Sequence, residues 1–369
     1  MERSYVSDLK SGQNVLLKGW VYEIRNLAKM KFLLLRDASG IVQCVIKSET
    51  KGFNEDLTLE SVVSVKGKTK PAKLTNQDLT IKNLEIEISE LQVLSKAEEL
   101  PIHVNEKTTT TSMDKRLDFR SLDVRKPKVK AIFKIQSVII NAFREFFFNK
   151  DFIEIQPPGI IATSTEGGTE LFPVDYFERK AYLAQSPQLY KQLMAISLER
   201  VFSTSAVWRA EKHDTSKHIN EIRQMDIEVA FADDKEIMKY LEEAIKFIIK
   251  NVISKCKREI EILGLKLKVP EAKYLSYNEA IKILNKNGFK LKEGDDFDPE
   301  AERKLCSLFP DRIIFTYEWP SEIKPFYIWP KSNGLSGGFD AVYGGVEVSS
   351  GGQRVHIPKI LIQQLKAKK

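Results

Sequence analysis

Residues 208–231, WRAEKHDTSKHINEIRQMDIEVAF, carry the densest set of groups that could do chemistry. Arg209 and Glu211 are two apart, so an extended strand turns both to one side. His218, Glu221, Asp226 and Glu228 follow. A guanidinium beside carboxylates can hold a phosphate oxygen while the acids hold Mg2+ or an amine. The same run fits a solvated hairpin with surface ion pairs, and the charge pattern by itself favours that plainer role.

Two other stretches gather similar groups. VEVSSGGQRVH, residues 346–356, offers the Glu347 carboxylate, the Ser350 hydroxyl and the Arg354 guanidinium around two glycines. SPQLYK, residues 186–191, offers a hydroxyl, an amide and an ammonium at the start of a helical pattern. Ser186 is placed to cap that helix, with Pro187 at its first position. Taken without its surroundings, Lys191 is an ordinary helix-surface lysine.

A chain of 369 residues accommodates two or three domains and a sizeable core. The net charge of +7 suits a polyanionic partner such as nucleic acid, and suits a lysine-rich solvated surface equally well. No apolar run reaches membrane-spanning length, and MERSYVSDLKSGQ lacks the apolar centre of a signal peptide. Cys44, Cys256 and Cys306 are far apart and odd in number, which points to a reducing cytoplasm rather than a disulfide framework. Four scattered histidines and no cysteine cluster argue against structural zinc. No Walker loop and no GxGxxG occurs.

The elements that must position these groups fall into two kinds. NVLLKGWVYEI, KFLLLRD, IVQCVIK, SVVSVKGKTK and LTIKNLEIEISELQVLS read as about five short strands with turn signals between them, which suggests a small barrel of OB type. The threonine-rich HVNEKTTTTSMDKR then reads as a link. Beyond it, KVKAIFKIQSVIINAFREFFFNKDF is an amphipathic helix, with Ile132, Ile135, Val138, Ile139 and Phe143 recurring at three- and four-residue steps. A second long helix, DKEIMKYLEEAIKFIIKNVISKC, follows the charged segment. IIFTYEW, FYIWP, GFDAVY and GVEVSS are strand-like. The second part is therefore an α/β (α+β) arrangement on a mixed, mainly antiparallel sheet, not a βαβ chain. The expected division is 1–103 for the barrel, 104–130 for the link and 131–369 for the rest, with a small insertion at about 257–310.

These stretches also resemble a known family. Arg209-x-Glu211, a loop, and His218-x-x-Glu221 resemble motif 2 of the class II aminoacyl-tRNA synthetases, and FIEIQPPGII resembles motif 1, with Pro158 as its proline. GWVYEIRNLAKMKFLLLRDASGIVQ, DKRLDFRSLDVRKP, ATSTEGGTELFPVDYF, LAQSPQLYKQLM, PSEIKPFY and VEVSSGGQR resemble the aspartyl-tRNA synthetases of archaeal and eukaryotic type, in the family's order. The resemblance runs from about residue 10 to residue 365.

The resemblance implies an N-terminal OB-fold that binds the anticodon and a catalytic domain that activates L-aspartate with ATP and Mg2+. The partner it implies is tRNA(Asp), with tRNA(Asn) left open, and motif 1 implies a homodimer. Lys191 and Arg354 are expected on the substrate's side-chain carboxylate, Asp226 on its ammonium, and Glu166, Ser186 and Gln188 around the amino acid. Arg209, Glu211, His218, Glu221 and Glu347 are expected around ATP, with Glu347 and Ser350 holding Mg2+. Arg209, Glu211 and His218 are the expected catalytic set. In the barrel, Phe32 is expected under a base, Gln43 beside one, and Arg25 and Arg36 nearby; a core position for Phe32 is about as compatible with KFLLLRD. Lys191 and Arg354 together point to aspartate rather than asparagine, because an amide needs no paired cations.

The pattern departs from the family in two places. Ile222 stands where a phenylalanine usually follows the motif 2 glutamate. No second glycine-rich segment with an arginine, the mark of motif 3, follows VEVSSGGQR, so an incomplete ATP site is expected and activity of this chain alone is an open point. A non-catalytic relative that binds tRNA or amino acid, and a synthetase-like asparagine synthetase, stand as alternatives.

Overall fold

A computed structural model describes residues 1–27, 29–105, 110–163, 171–212 and 219–368. The chain forms two compact units, Met1–Lys130 and Ala131–Lys369.

The first unit is a closed barrel in the order β1-β2-β3-β5-β4. Its strands are β1 (Asn14–Leu27), β2 (Met30–Arg36), β3 (Ile41–Lys47), β4 (Val62–Pro71) and β5 (Leu84–Ser95). Strand alternation fills the interior: Val15 and Leu17 on β1, Leu33 and Leu35 on β2, Cys44 and Ile46 on β3 and Val63 and Val65 on β4 share one core. Closure demands close backbone approach at Gly19, where an added Cβ would lie 2.3 Å from the Arg36 carbonyl oxygen. Both described ends of the stretch expected as a link are packed. Val104 and Leu122 join Tyr22, Leu34, Ile41 and Leu79 in a second cluster on the outside of the barrel. Two short helices, α1 (Met113–Asp118) and α2 (Arg120–Asp123), precede α3 (Pro127–Phe148). Arg125 reaches Glu60 at 2.7 Å, so this segment is tied down by charge as well as by apolar contact.

Among the described residues, the second unit holds three small sheets. One is β11-β10-β6, formed by β6 (Ile153–Glu154), β10 (Arg200–Trp208) and β11 (Glu221–Val229). Another is β7-β9-β8, from β7 (Ile160–Ile161), β8 (Pro173–Tyr176) and β9 (Arg179–Leu183). The helix α4 (Gln188–Leu198) lies between β9 and β10 in the chain. The helices α5 (Asp234–Lys255) and α6 (Lys257–Leu263) follow. The third sheet is β12-β13-β14-β15, with β12 (Glu271–Ser276), β13 (Arg312–Tyr317), β14 (Gly338–Tyr343) and β15 (Val346–Gly352). The helices α7 (Tyr277–Lys286) and α8 (Pro299–Leu308) sit between its first two strands in sequence, and α9 (Pro358–Ala367) comes last. Pairing is mainly antiparallel, with β12–β13 and β10–β6 parallel.

Two sequence expectations change here. The stripe on α3 is buried only toward its C-terminal end, where Phe143, Phe146 and Phe147 meet Phe152 and Phe202; Ile132 is 55% exposed. The stretch expected as an insertion gathers a core largely of its own residues, Leu275 of β12, Ala280 and Leu284 of α7 and Leu305 of α8, closed by Ile314 of β13. FYIWP forms isolated bridges rather than a strand. Among the described residues, no helix is long and apolar enough to cross a membrane.

Local signals explain where the helices start. Asp233 and Glu236 form a capping box at α5, and Ser276 and Glu279 form another at α7. Asp298 accepts from the Glu300 and Ala301 amides at α8, which begins with Pro299.

Candidate active site

The antiparallel pair β10–β11 has two unlike faces. Its register sets Ser203 opposite Asp226, Ser205 opposite Gln224 and Val201 opposite Glu228. Side chains two apart share a face, so Gln224, Asp226 and Glu228 line up with Ser203 and Ser205. The other face carries Phe202 and Ile227 into the aromatic core. On the polar face, Ser203 Oγ, Ser205 Oγ, Gln224 Oε1 and Asp226 Oδ2 are buried without a hydrogen-bond partner, as is Arg209 Nε just beyond the end of β10. Buried polar atoms are normally satisfied, so five together mark a surface built for a polar ligand.

The helix α4 covers this face. Gln188, Lys191 and Ala195 are its buried residues, spaced three and four apart along one side. Ala195 packs with Val201 and Ile155. The two residues above it point polar groups at β11: Lys191 Nζ lies 2.8 Å from Asp226 Oδ1 and 3.7 Å from Glu228 Oε2. Capping differs slightly from expectation. Ser186 Oγ accepts from the Gln188 amide at 3.1 Å, and Pro187 occupies the cap position rather than the first turn.

Arg354 arrives from the far end of the chain. Its segment is laced to residues 327–329 by Trp329 N–H to the Gln353 carbonyl and Val355 N–H to the Tyr327 carbonyl, both 2.8 Å. Arg354 Nε donates to Glu228 Oε1 at 3.0 Å, and its NH2 donates to Gln188 Oε1 at 2.9 Å. The guanidinium lies 5.3 Å over the Tyr327 ring. Lys191, Asp226, Gln188 and Arg354, which the resemblance groups around the amino acid, therefore lie together. The group that joins them is Glu228, which was noticed in the charged run but given no role. The signal was present: Glu228 is two residues from Asp226 on a strand.

The phosphate-side expectations fare less evenly. Arg209 and Glu211 lie past the end of β10, so strand alternation does not align them. Arg209 N–H instead bonds the Asn220 carbonyl at 3.0 Å. Glu221 stands on the opposite face from Asp226, exposed, with Arg223 at 3.4 Å. It does not join the cluster, because an odd step along β11 reverses the side. His218 and Glu166 lie outside the described residues.

Glu347 and Ser350 are three apart and would oppose each other on a regular strand. A bulge in the β14–β15 register between Ala341 and Val342 sets Ser350 against Asp340 and Glu347 against Val342. Ser350 hydrogen-bonds the Glu347 carboxylate. Glu347 is exposed as a residue. Enclosure of its carboxyl group and the Asp340 charge nevertheless push that group up to about 7, against the pull of Lys324. Burial raises the Asp340 carboxyl as well, although Lys324 Nζ lies 2.5 Å away. No cage of three or more acidic, histidine or cysteine side chains occurs among the described residues.

On the barrel, alternation turns Phe32, Leu34 and Arg36 outward from Leu33 and Leu35. Phe32 faces Arg25 across β1, and Leu34 lies between Glu23 and Gln43. These residues line a cleft with Lys73 and Asn76. Arg25 pairs with Glu23, and Gln43 donates to Glu85 at 2.8 Å. Arg36 is a correction. It is 6% exposed and bonds Glu60 in a fork, at 2.9 and 2.7 Å, beside Trp20 and Tyr22. A guanidinium committed to a buried carboxylate is structural and is not presented to a ligand.

Comparison with known proteins agrees with both units. A family model described as tRNA synthetases class II (D, K and N) matches residues 112–369. One described as an OB-fold nucleic acid binding domain matches residues 15–94. The aspartate–tRNA(Asp/Asn) ligase of Methanocaldococcus jannaschii is 42% identical over 99% of this chain and 85% of its own length. The aspartate–tRNA(Asp) ligase of Thermococcus kodakarensis is 42% identical over 99% of this chain and 86% of its own. Among solved structures, asparaginyl-tRNA synthetase from Pyrococcus horikoshii with asparaginyl-adenylate superposes at TM-score 0.89, with 31% identity over 100% of this chain and 87% of that one. Aspartyl tRNA synthetase from Entamoeba histolytica superposes at 0.86, with 27% identity over 100% and 81%. With an OB barrel ahead of a synthetase domain, and with relatives at this identity over nearly its whole length, the chain belongs to the class II aminoacyl-tRNA synthetases, in the branch of the archaeal aspartate–tRNA ligases.

Proposed function

We propose that this chain activates L-aspartate with ATP and transfers it to tRNA(Asp), with tRNA(Asn) as a second acceptor left open by the names of its relatives. The observation that carries the choice of amino acid is the convergence of Lys191 and Arg354 over Asp226 and Glu228. Two cations next to each other suit a side-chain carboxylate. Asp226 Oδ1 is taken by Lys191, while its buried Oδ2 has no partner and suits the substrate ammonium. Gln188, which bonds Glu228 and Arg354, and the buried Ser186 would stand around the amino acid.

Such a reaction needs no nucleophile from the protein. The substrate's α-carboxylate attacks the α-phosphorus of ATP, and pyrophosphate leaves. Arg209, whose buried Nε lacks a partner, would meet the α-phosphate and stabilise charge there. Glu347 and Ser350 would hold Mg2+, which screens phosphate charge when bound. The resemblance assigns Glu211 and His218 to ATP and Glu166 to the amino acid; His218 and Glu166 lie outside the described residues.

Calorimetry with L-aspartate and L-asparagine tests the reading. Aspartate is expected to bind about 10–100-fold tighter, because a charge left facing an amide forfeits about 1.5–3 kcal/mol. Lys191→Met should remove most of that preference. Equal affinities for the two amino acids in the wild type would exclude aspartate as the intended substrate.

A further inference from the structure

The side-chain amide of the buried Gln188 joins three groups. Its Oε1 accepts from Arg354 NH2 at 2.9 Å. Its Nε2 donates to Gln192 Oε1 at 2.9 Å and reaches Glu228 Oε2 at 3.5 Å. Neither the motifs nor the resemblance gives Gln192 a role of its own. It is half-buried and lies four residues after Gln188 on α4, so the two side chains are neighbours on one flank of the helix.

A primary amide has two orientations of nearly equal shape, which differ in the side that donates. In a buried site the neighbours make the choice. On one side of the Gln188 amide stand two acceptor oxygens, Gln192 Oε1 and Glu228 Oε2. On the other stands the Arg354 guanidinium, which can only donate. The reversed amide would set NH2 against NH2 and oxygen against two oxygens. Glu228 is a weak arbiter, because its contact to Gln188 is long and its carboxylate is shared with Lys191 at 3.7 Å and Arg354 at 3.0 Å. The short bond comes from Gln192. We propose that Gln192 is a positioning residue for amino-acid selection. Its oxygen holds the Gln188 amide with Oε1 toward Arg354, and Gln188 Oε1 holds the guanidinium where a substrate side-chain carboxylate meets it. What position 192 must supply is an acceptor oxygen at that reach. This rests on the aspartate reading above and deepens it: a residue outside the contact set of the amino acid aims the cation that reads the side chain.

The test is calorimetry of the full chain with L-aspartate and L-asparagine. Gln192→Met keeps the side-chain length and a good helix former but removes the acceptor. Aspartate affinity should fall about fivefold, the worth of roughly one hydrogen bond, and asparagine affinity less than about twofold, so the preference narrows. Gln192→Glu keeps an acceptor oxygen and should hold the preference within about twofold of wild type. A role in helix packing would instead weaken both amino acids alike, without rescue by glutamate. Unchanged preference in a Gln192→Met protein with a native circular dichroism spectrum would overturn the proposal, and so would equal losses in Gln192→Met and Gln192→Glu. If Gln192→Met does not fold, Gln192→Ala is judged by the same two criteria. A second measurement needs no amino acid: the Nε–H nuclear magnetic resonance signal of Arg354, identified by its absence in Arg354→Lys, should shift in Gln192→Met and stay in place in Gln192→Glu. A wild type that binds both amino acids equally refutes the aspartate reading, and the Arg354 signal then still decides whether Gln192 positions that side chain, an unmoved signal in Gln192→Met deciding against it.

Discussion

Asp123 shows what a carboxylate requires inside a protein. Its side chain is 0% exposed and is bonded by Arg116 Nε at 2.7 Å, by Arg120, and by Lys126 Nζ at 3.4 Å. Burial alone would raise this carboxyl. The hydrogen bond and charge of Arg116, and then those of Lys126, outweigh burial and hold it below the usual aspartate value. A group depressed in the folded state binds more protons when unfolded, so its stabilisation is present at neutral pH. It is lost as pH falls below the unfolded value of 3.8 and through the folded one. Asp123→Ala should cost about 3 kcal/mol at pH 7, the low end for a broken buried pair, because Arg116 and Arg120 can turn toward water. Urea unfolding at pH 7 and pH 3 checks this, with the gap between variant and wild type narrowing at the lower pH. A gap that stays constant would mean lost packing rather than lost charge.

At the scale of an element, β2 separates two roles by one residue. Leu33 is 0% exposed inside the barrel, and Phe32 lines the outer cleft. We infer that this cleft is where a base of the anticodon stacks. Phe32→Ala should weaken binding of an anticodon stem-loop by about 1–3 kcal/mol, the worth of one base–aromatic stack. It should leave the urea midpoint nearly unchanged. Leu33→Ala should do the reverse, lowering stability by about 2–5 kcal/mol through a cavity in the core. Fluorescence anisotropy at low salt and urea melts on the same two variants make the comparison. Loss of RNA binding from Leu33→Ala alone would reassign the surface.

At the scale of the whole molecule, α3 and the two strands after it carry apolar side chains at the surface of a single chain. Ile132 is 55% and Phe133 44% exposed, and Ile153 of β6 and Ile160 of β7 are each 46% exposed. Ile153 and Ile160 lie in the segment that resembles motif 1, Ile132 and Phe133 in the helix before it, and together they support a two-fold interface in which each surface meets its own copy. Sedimentation velocity should give a dimer at micromolar concentration, and Ile132→Asp with Phe133→Asp should give a folded monomer. A wild-type monomer at high concentration would remove this reading.

Composition and local pattern were enough for the kinds of structure present. Alternating strands with turn signals specify a barrel because side-chain burial on a strand has period two, and the run 14–95 forms one. Ser276-x-x-Glu279 and Asp298-Pro299 mark helix starts because capping is a local interaction. Lys191, Asp226 and Arg354 were legible through their motifs. What needed the tertiary structure were the relations between distant segments. Arg36 read as a surface cation until Glu60, from another part of the barrel, proved to be its buried partner. Glu228 acquired its role only when α4 and residues 327–329 brought Lys191 and Arg354 to it. Glu347 and Ser350 share a side only because the β14–β15 register carries a bulge. A local pattern records which face of its own element a residue takes. The residue's partner, and hence its charge environment, is set by how elements far apart in the chain come to lie against one another.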